Sequence, residues 1–209
     1  LGEINRGLGE DFAIARHLGF KIYPCCGDIH SGLDALLKIL SDHNIATDQI
    51  TAITHQVKES RRPVIDNNPL RSHNAQYIMA VAAVERRIQW DDFLRDRRSE
   101  PEIGRMFDRV RLIGSDALAS SPCPAPAIVD VEVAGGRTYS ERVEAAKGHS
   151  ANPMGLEELE QKFMTYAEPV VGEIRARRIK EMVGDLENLT DVRDLMAQIA
   201  PVSTKAKTK

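Results

Sequence analysis

Val129, Val131 and Val133 alternate with Asp130 and Glu132, and Gly135-Gly136 follows at once. A period of two puts the three valines on one buried face. Paired glycines supply the positive φ of a tight hairpin, with Thr138 to Val143 as the returning strand. Upstream, Ile50 to Lys58 and Val110 to Ile113 also read as strands. Leu33, Leu36, Leu37 and Leu40 recur at i, i+3, i+4, i+7 within a helix predicted over Ser31 to His43. The apolar run from Ala75 to Val84 marks a central helix within Ser72 to Arg87. Trp90 to Arg97 and Pro101 to Phe107 read as short helices, the second opened by its proline. After Pro153 the pattern is purely helical. Its stripes are Leu156, Leu159 and Phe163; Ile179, Met182, Val183 and Leu186; and Val192, Leu195, Met196 and Ile199, with Thr190 as the N-cap of the last helix. Strands without βαβ alternation predict an α+β fold: a small mixed sheet domain with packed helices, followed by a C-terminal all-helical segment. The boundaries are a connector over 1–19, the α+β domain over 20–153, the helical segment over 154–200 and a tail over 201–209.

Composition removes several functions. A net charge of −3 over 209 residues lacks the basic excess of a phosphate-backbone binder, so no nucleic-acid partner is expected. No apolar run is long enough to span a membrane, and the polar N-terminus is no signal peptide. A cytoplasmic protein without a membrane partner is expected. Cys25 and Cys26 are adjacent and Cys123 stands alone in Ser-Pro-Cys-Pro, without C-x-x-C spacing. Free thiols in a reducing compartment follow, with no metal and no cofactor.

Phe20-Lys-Ile-Tyr-Pro-Cys-Cys-Gly-Asp-Ile-His-Ser31 reads as a binding edge. An extended segment through Tyr23 leads to Pro24, which fixes the backbone, and His30 follows near a helix start. A helix N-terminus beside Lys21 and His30 is a seat for a carboxylate.

Lys-x-Tyr-Pro-Cys-Cys-x-x-x-His, from Lys21 to His30, resembles the signature segment of the MmgE/PrpD family. That family includes 2-methylcitrate dehydratase, cis-aconitate decarboxylase and an iminodisuccinate epimerase. Further similarities follow in order: Ile50 to Val57, Val64-Ile-Asp66, His73-Asn-Ala-Gln-Tyr77, Val129 to Arg137, Lys147-Gly-His149 with Asn152-Pro153, and Leu156 to Phe163. The chain departs from the pattern at Cys26-Gly27-Asp28, where Asp28 adds an anion, and at Glu85-Arg86 after the central helix. The resemblance makes residues 20–153 the family's lid-like α+β domain and implies metal-free chemistry. It also implies a missing partner, the N-terminal helical domain that supplies half of the pocket. A first residue of Leu fits a fragment, a processed chain or one half of a split enzyme.

Dehydrating or decarboxylating a polycarboxylate needs a proton carrier near the reacting carbon and fixed positive charge for the carboxylates. Lys21 and His30 are the candidate catalytic pair. Arg61 and Arg62, at the end of the predicted strand, and His73 with Tyr77, four apart on a predicted helix face, are the candidate substrate-binding residues. His17, His43 and His55 read as solvated, and Lys147 and His149 as exposed loop residues. The resemblance implies a lyase or isomerase on small polycarboxylates, 2-methylcitrate dehydratase-like, expected to lack turnover without the helical half. The alternative is a non-catalytic partner subunit. Three amphipathic helical stripes also predict a homo-oligomer or partner chain covering Leu156, Phe163, Met182, Leu186, Leu195 and Ile199, unless they cover one another.

Overall fold

The computed structural model describes Gly7, Gly9, Glu10 and residues 19–200. The predicted tail, His17 and most of the predicted connector lie outside the described residues. The described residues up to Pro153 form one compact unit and those from Met154 a second.

The first unit is built on a four-stranded sheet: β1 (Ile50–Val57), β2 (Val110–Gly114), β3 (Ala127–Val133) and β4 (Thr138–Val143), in spatial order β2-β1-β3-β4. The β3–β4 hairpin turns at Gly135 and Gly136, with φ of +93° and +81°, a region costly for residues with a Cβ. Val129 and Val131 are fully buried, whereas Val133 at the strand end is partly so. β1 pairs antiparallel with β3 and parallel with β2, so the sheet is mixed. The parallel pair makes it the mixed sheet of the expected α+β fold. Its crossover, residues 58–109, is broken into short turns and helices that carry no single period.

Helix α1 (His30–Asp42) lies on β3 and β4, with Leu33, Leu36 and Leu40 buried and Leu37 partly so. The crossover carries α2 (Arg62–Ile65), α3 (Ala75–Glu85) and α4 (Pro101–Phe107). α3 is buried from Ala75 to Ala83 and begins later than predicted. The side chain of Asn74 accepts from the Tyr77 amide and caps it, so Arg71–His73 before it form a separate 3-10 turn. Beyond α3, Arg97 donates to Asp92 at 2.5 Å and also pairs with Glu85 and Glu100, so Glu85, which departs from the family pattern, has a structural partner.

His55 corrects an expectation. It is fully buried rather than solvated, because Ile53, His55 and Val57 share the core side of β1 while Thr54 and Gln56 face away. Neither ring nitrogen has a hydrogen-bond partner among the described residues. α1 crosses above it at Gly32, where a Cβ would stand 2.3 Å from His55 Nε2; the close approach of helix and sheet needs a glycine there. His43 is exposed as expected, its ring stacked on Tyr139 with centroids 4.1 Å apart.

The second unit comprises α5 (Leu156–Val171), α6 (Glu173–Gly184) and α7 (Val192–Ile199). Ile179, Met182 and Leu195 are buried with Phe163, Val171 and Leu189 against them, whereas Leu156, Leu186 and Ile199 stay exposed. Only part of the predicted stripes is therefore covered within this chain. α7 is capped by Asp191, whose carboxylate accepts from the Arg193 amide at 2.9 Å, not by Thr190. Among the described residues no helix is long and apolar enough to cross a membrane.

Burial holds the His55 pKa down at about 4, against an ordinary value of 6.5. On acidification the unfolded chain therefore takes up this proton first. The His55 contribution to stability is complete above pH 6.5 and is lost as pH falls toward 4. That loss amounts to about 3 kcal/mol. Denaturant titrations at neutral pH and near the folded pKa should show His55→Leu losing less stability than the parent by about that amount; equal losses would contradict the burial of an uncharged ring.

Candidate functional site

The segment ahead of α1 is bent from Ile22 to Cys25 rather than extended, and three backbone links hold it. The Phe20 amide donates to the Gly148 carbonyl at 2.8 Å, the Cys26 amide donates to the Ser72 carbonyl at 2.9 Å, and the turn Gly27–Ile29 runs directly into α1. His30 is thus the first residue of α1 and is buried.

Lys21 Nζ donates to the carbonyl oxygen of Cys25 at 3.1 Å, and His30 Nε2 lies 3.4 Å from the same oxygen. The ammonium and the imidazole therefore flank a single atom. The His30 ring also stands edge-on to Tyr23, centroids 5.3 Å apart. Tyr23 in turn donates its hydroxyl to Asp34 Oδ1 at 2.7 Å, while Asp34 Oδ2 accepts the Lys147 amide at 2.7 Å. Burial first, and then the Asp34 charge, hold the Tyr23 phenol far above its ordinary pKa, so it remains a donor.

Lys21 and His30 line a cavity of about 280 Å³. Lys21, His30, Arg61, Lys147 and His149 border it, with Ser31, Asp28, Cys123 and Glu144. Both acids are engaged. Arg61 stands 3.8 Å from Asp28. Glu144 accepts from Ser121 Oγ and Arg142 Nε, both at 2.6 Å, and these partners, Ser121 foremost, hold its carboxyl below the usual range. Ser121 is fixed by Lys58, which donates to its carbonyl at 2.8 Å. The Cys25 thiol is pushed up to about 12 by burial, and Cys26 is raised by the same cause, so both stay protonated at neutral pH. Among the described residues no group of three His, Cys, Asp or Glu side chains could hold a metal ion. The arrangement offers cations and a proton carrier to a small anion.

Of the six predicted site residues the structure brings Lys21, His30 and Arg61 to this cavity. Arg62 opens α2 instead and pairs with Glu59 at 2.9 Å. His73 sits in the turn Arg71–His73, its Nδ1 3.2 Å from Ser72 Oγ, and shares no helix face with Tyr77. Tyr77 is buried in the core and donates its hydroxyl to the Asp92 carbonyl at 2.6 Å. Lys147 and His149, read from sequence as exposed loop residues, border the cavity. Asp34 went unremarked, although it lies four residues after His30, on the same side of a helix.

A family model for the MmgE/PrpD C-terminal domain matches residues 23–188. A cis-aconitate decarboxylase-like protein of Aspergillus oryzae is 25% identical over 211 residues, covering 95% of this chain and 43% of that protein. A cis-aconitate decarboxylase of Aspergillus terreus is 26% identical over 213 residues, covering 93% of this chain and 42% of its own length. The chain thus spans less than half the length of these relatives.

The Tyr23–Asp34 bond is expected to act as a unit. In a double-mutant cycle with Tyr23→Phe and Asp34→Ala, thermal or denaturant unfolding should give a coupling energy of about 1 kcal/mol. Additive losses would mean that the two side chains are held independently.

Proposed function

The chain belongs to the MmgE/PrpD C-terminal domain family, and from that premise we propose that it supplies one wall of a lyase site for small polycarboxylates. The observation that carries this reading is the convergence of Lys21 and His30 on the Cys25 carbonyl oxygen, beside Arg61, in one cavity. Lys21 and Arg61 attract and fix carboxylates, and Arg61 exchanges its long contact with Asp28 for one of them. His30 carries the proton. In a decarboxylation the C–C bond to the departing carboxylate breaks as CO₂ leaves. Its electron pair passes into the adjacent unsaturated carboxylate system, where Lys21 stabilises the charge, and His30 protonates the resulting carbanion. In a dehydration the same groups remove the α-proton and protonate the departing hydroxyl.

The names of the relatives make cis-aconitate the first substrate to try, and the family resemblance of the sequence makes 2-methylcitrate the second. The rest of the pocket comes from a helical domain, in a longer form of the chain or in a partner, and the working form is a homo-oligomer in the cytoplasm, where its cysteines stay reduced. The second reading is a non-catalytic partner subunit. It is favoured by Leu156, Val170, Ile174 and Leu186, whose exposures of 73, 75, 86 and 51% leave apolar surface for another chain to cover.

Titrating cis-aconitate into the isotopically labelled chain should perturb the amide resonances of residues 20–31, 61 and 147 in a saturable way, and Lys21→Ala should weaken binding by about tenfold or more. Absence of saturable binding would overturn the lyase-wall reading. The 209-residue chain by itself is expected to show no turnover, since residues acting as a unit lose nearly all activity when part of the set is removed. Robust turnover by the purified chain would remove the need for a helical half. Sedimentation should find an oligomer, and a monomer would overturn that part of the proposal.

A further inference from the structure

The loop from Ala145 to Asn152 brings His149 to the cavity and is held by its own backbone. The Gly148 amide donates to the Asn152 carbonyl and the Asn152 amide to the His149 carbonyl, both at 2.8 Å. The His149 amide donates to the Ala146 carbonyl at 3.0 Å, and Asn152 Nδ2 to the Ala145 carbonyl at 3.1 Å. Outside the loop, the Lys147 amide donates to Asp34, and the Gly148 carbonyl accepts from the Phe20 amide. His149 therefore stands half-buried on a braced turn.

One further bond decides the state of its ring. The Ala151 amide donates to His149 Nδ1 at 3.1 Å. A backbone amide can only donate, so Nδ1 is the bare, accepting nitrogen. The ring proton then sits on Nε2, and the imidazole is uncharged. Among the described residues no partner reaches Nε2. The two histidines of the cavity thus differ. His30 Nε2 lies against the Cys25 carbonyl, whereas His149 commits Nδ1 to the backbone and keeps its Nε2–H for another acceptor. An uncharged imidazole holds its proton far more tightly than an imidazolium, so it polarises an oxygen without giving the proton away. Its donor is also fixed before any ligand arrives, as stabilising a developing negative charge requires.

We propose that His149 donates its Nε2–H to a carboxylate oxygen of the ligand in this cavity, as a substrate-contacting residue that keeps its proton. The identity of that ligand rests on the lyase-wall reading. His30 remains the proton carrier. In a decarboxylation the oxygen bonded to His149 belongs to the carboxylate system that receives the electron pair of the breaking C–C bond. The hydrogen bond strengthens as that charge grows and supplements Lys21.

The test has two parts, both on the 209-residue chain. Ring-nitrogen resonances of the isotopically labelled protein at neutral pH should show His149 protonated at Nε2 and bare at Nδ1. Adding cis-aconitate should shift the Nε2–H resonance in a saturable way. Two variants then separate ligand binding from loop support. His149→Asn keeps an acceptor for the amide two residues on, but has no donor where Nε2 stood. It should unfold at the parent's temperature and bind cis-aconitate about tenfold more weakly, the value of one hydrogen bond to a charged group. His149→Gln presents an amide donor near the Nε2 position and should bind within about threefold of the parent. A proton found on Nδ1 overturns the proposal. An Asn variant that binds as the parent does overturns it too, while the lyase-wall reading stands because the parent still binds. Equal weakening in both variants would make His149 a loop support and not a donor, and the proposal falls. A parent chain without saturable binding removes both readings.

Discussion

The carboxylate of Asp34 ties together three parts of the chain that have no local reason to meet. It sits on the half-buried shoulder of α1, one oxygen receiving the Tyr23 hydroxyl and the other the Lys147 amide. The first bond fixes the bent segment that carries Lys21, and the second fixes the loop that closes the β4 side of the cavity. α1 is itself placed by the absence of a side chain at Gly32, which lets it settle over the His55 ring. Helix position, segment bend and loop position are thus one linked constraint, and the convergence of Lys21 and His30 on the Cys25 carbonyl follows from it.

The electrostatics of the cavity depend on its acids being neutralised from within. Asp28 and Glu144 would repel an anionic ligand if left unpaired, but Arg61 and the Ser121–Arg142 pair offset them. Glu144 then acts as a strut between the 120s loop and β4. Cys25 contributes through its backbone carbonyl alone, since burial keeps its thiol protonated. What the Cys25–Cys26 segment presents to Lys21 and His30 is a carbonyl oxygen, not a thiolate.

The amino-acid pattern exposes much of this fold because its long elements are periodic. The stripe from Leu33 to Leu40, the alternating valines of β3 and the apolar run of α3 each face one direction over several turns or pleats. The cavity lining is legible only where it coincides with a local motif, as at Lys21 and His30. Tyr77 lies in the core instead, because a polar tip on a core residue can find a backbone carbonyl, here Asp92, that no spacing reveals. His73 shares no helix face with it because Asn74 starts the helix after it. His55 misled through its neighbours: Thr54 and Gln56 are polar, but they lie on the other face of the strand. Asp34, Lys147 and Glu144 required contacts that span large separations along the chain, such as the 113 residues between Asp34 and Lys147, which one sequence does not encode visibly.

The two edges of the sheet carry a consequence for how copies of this chain meet. β2 is short, with Arg111 exposed, and ends at Gly114, against which the Glu59 side chain lies. The other edge, β4, displays Arg142 and a Glu141 already bonded to Lys38 at 3.0 Å. Brevity and charge are the ordinary defences against strand-to-strand addition. Neither rim of the sheet is a template for continuing it into a second molecule, so a crowded or partly unfolded population is steered away from fibre-like stacking and toward contacts made by side chains.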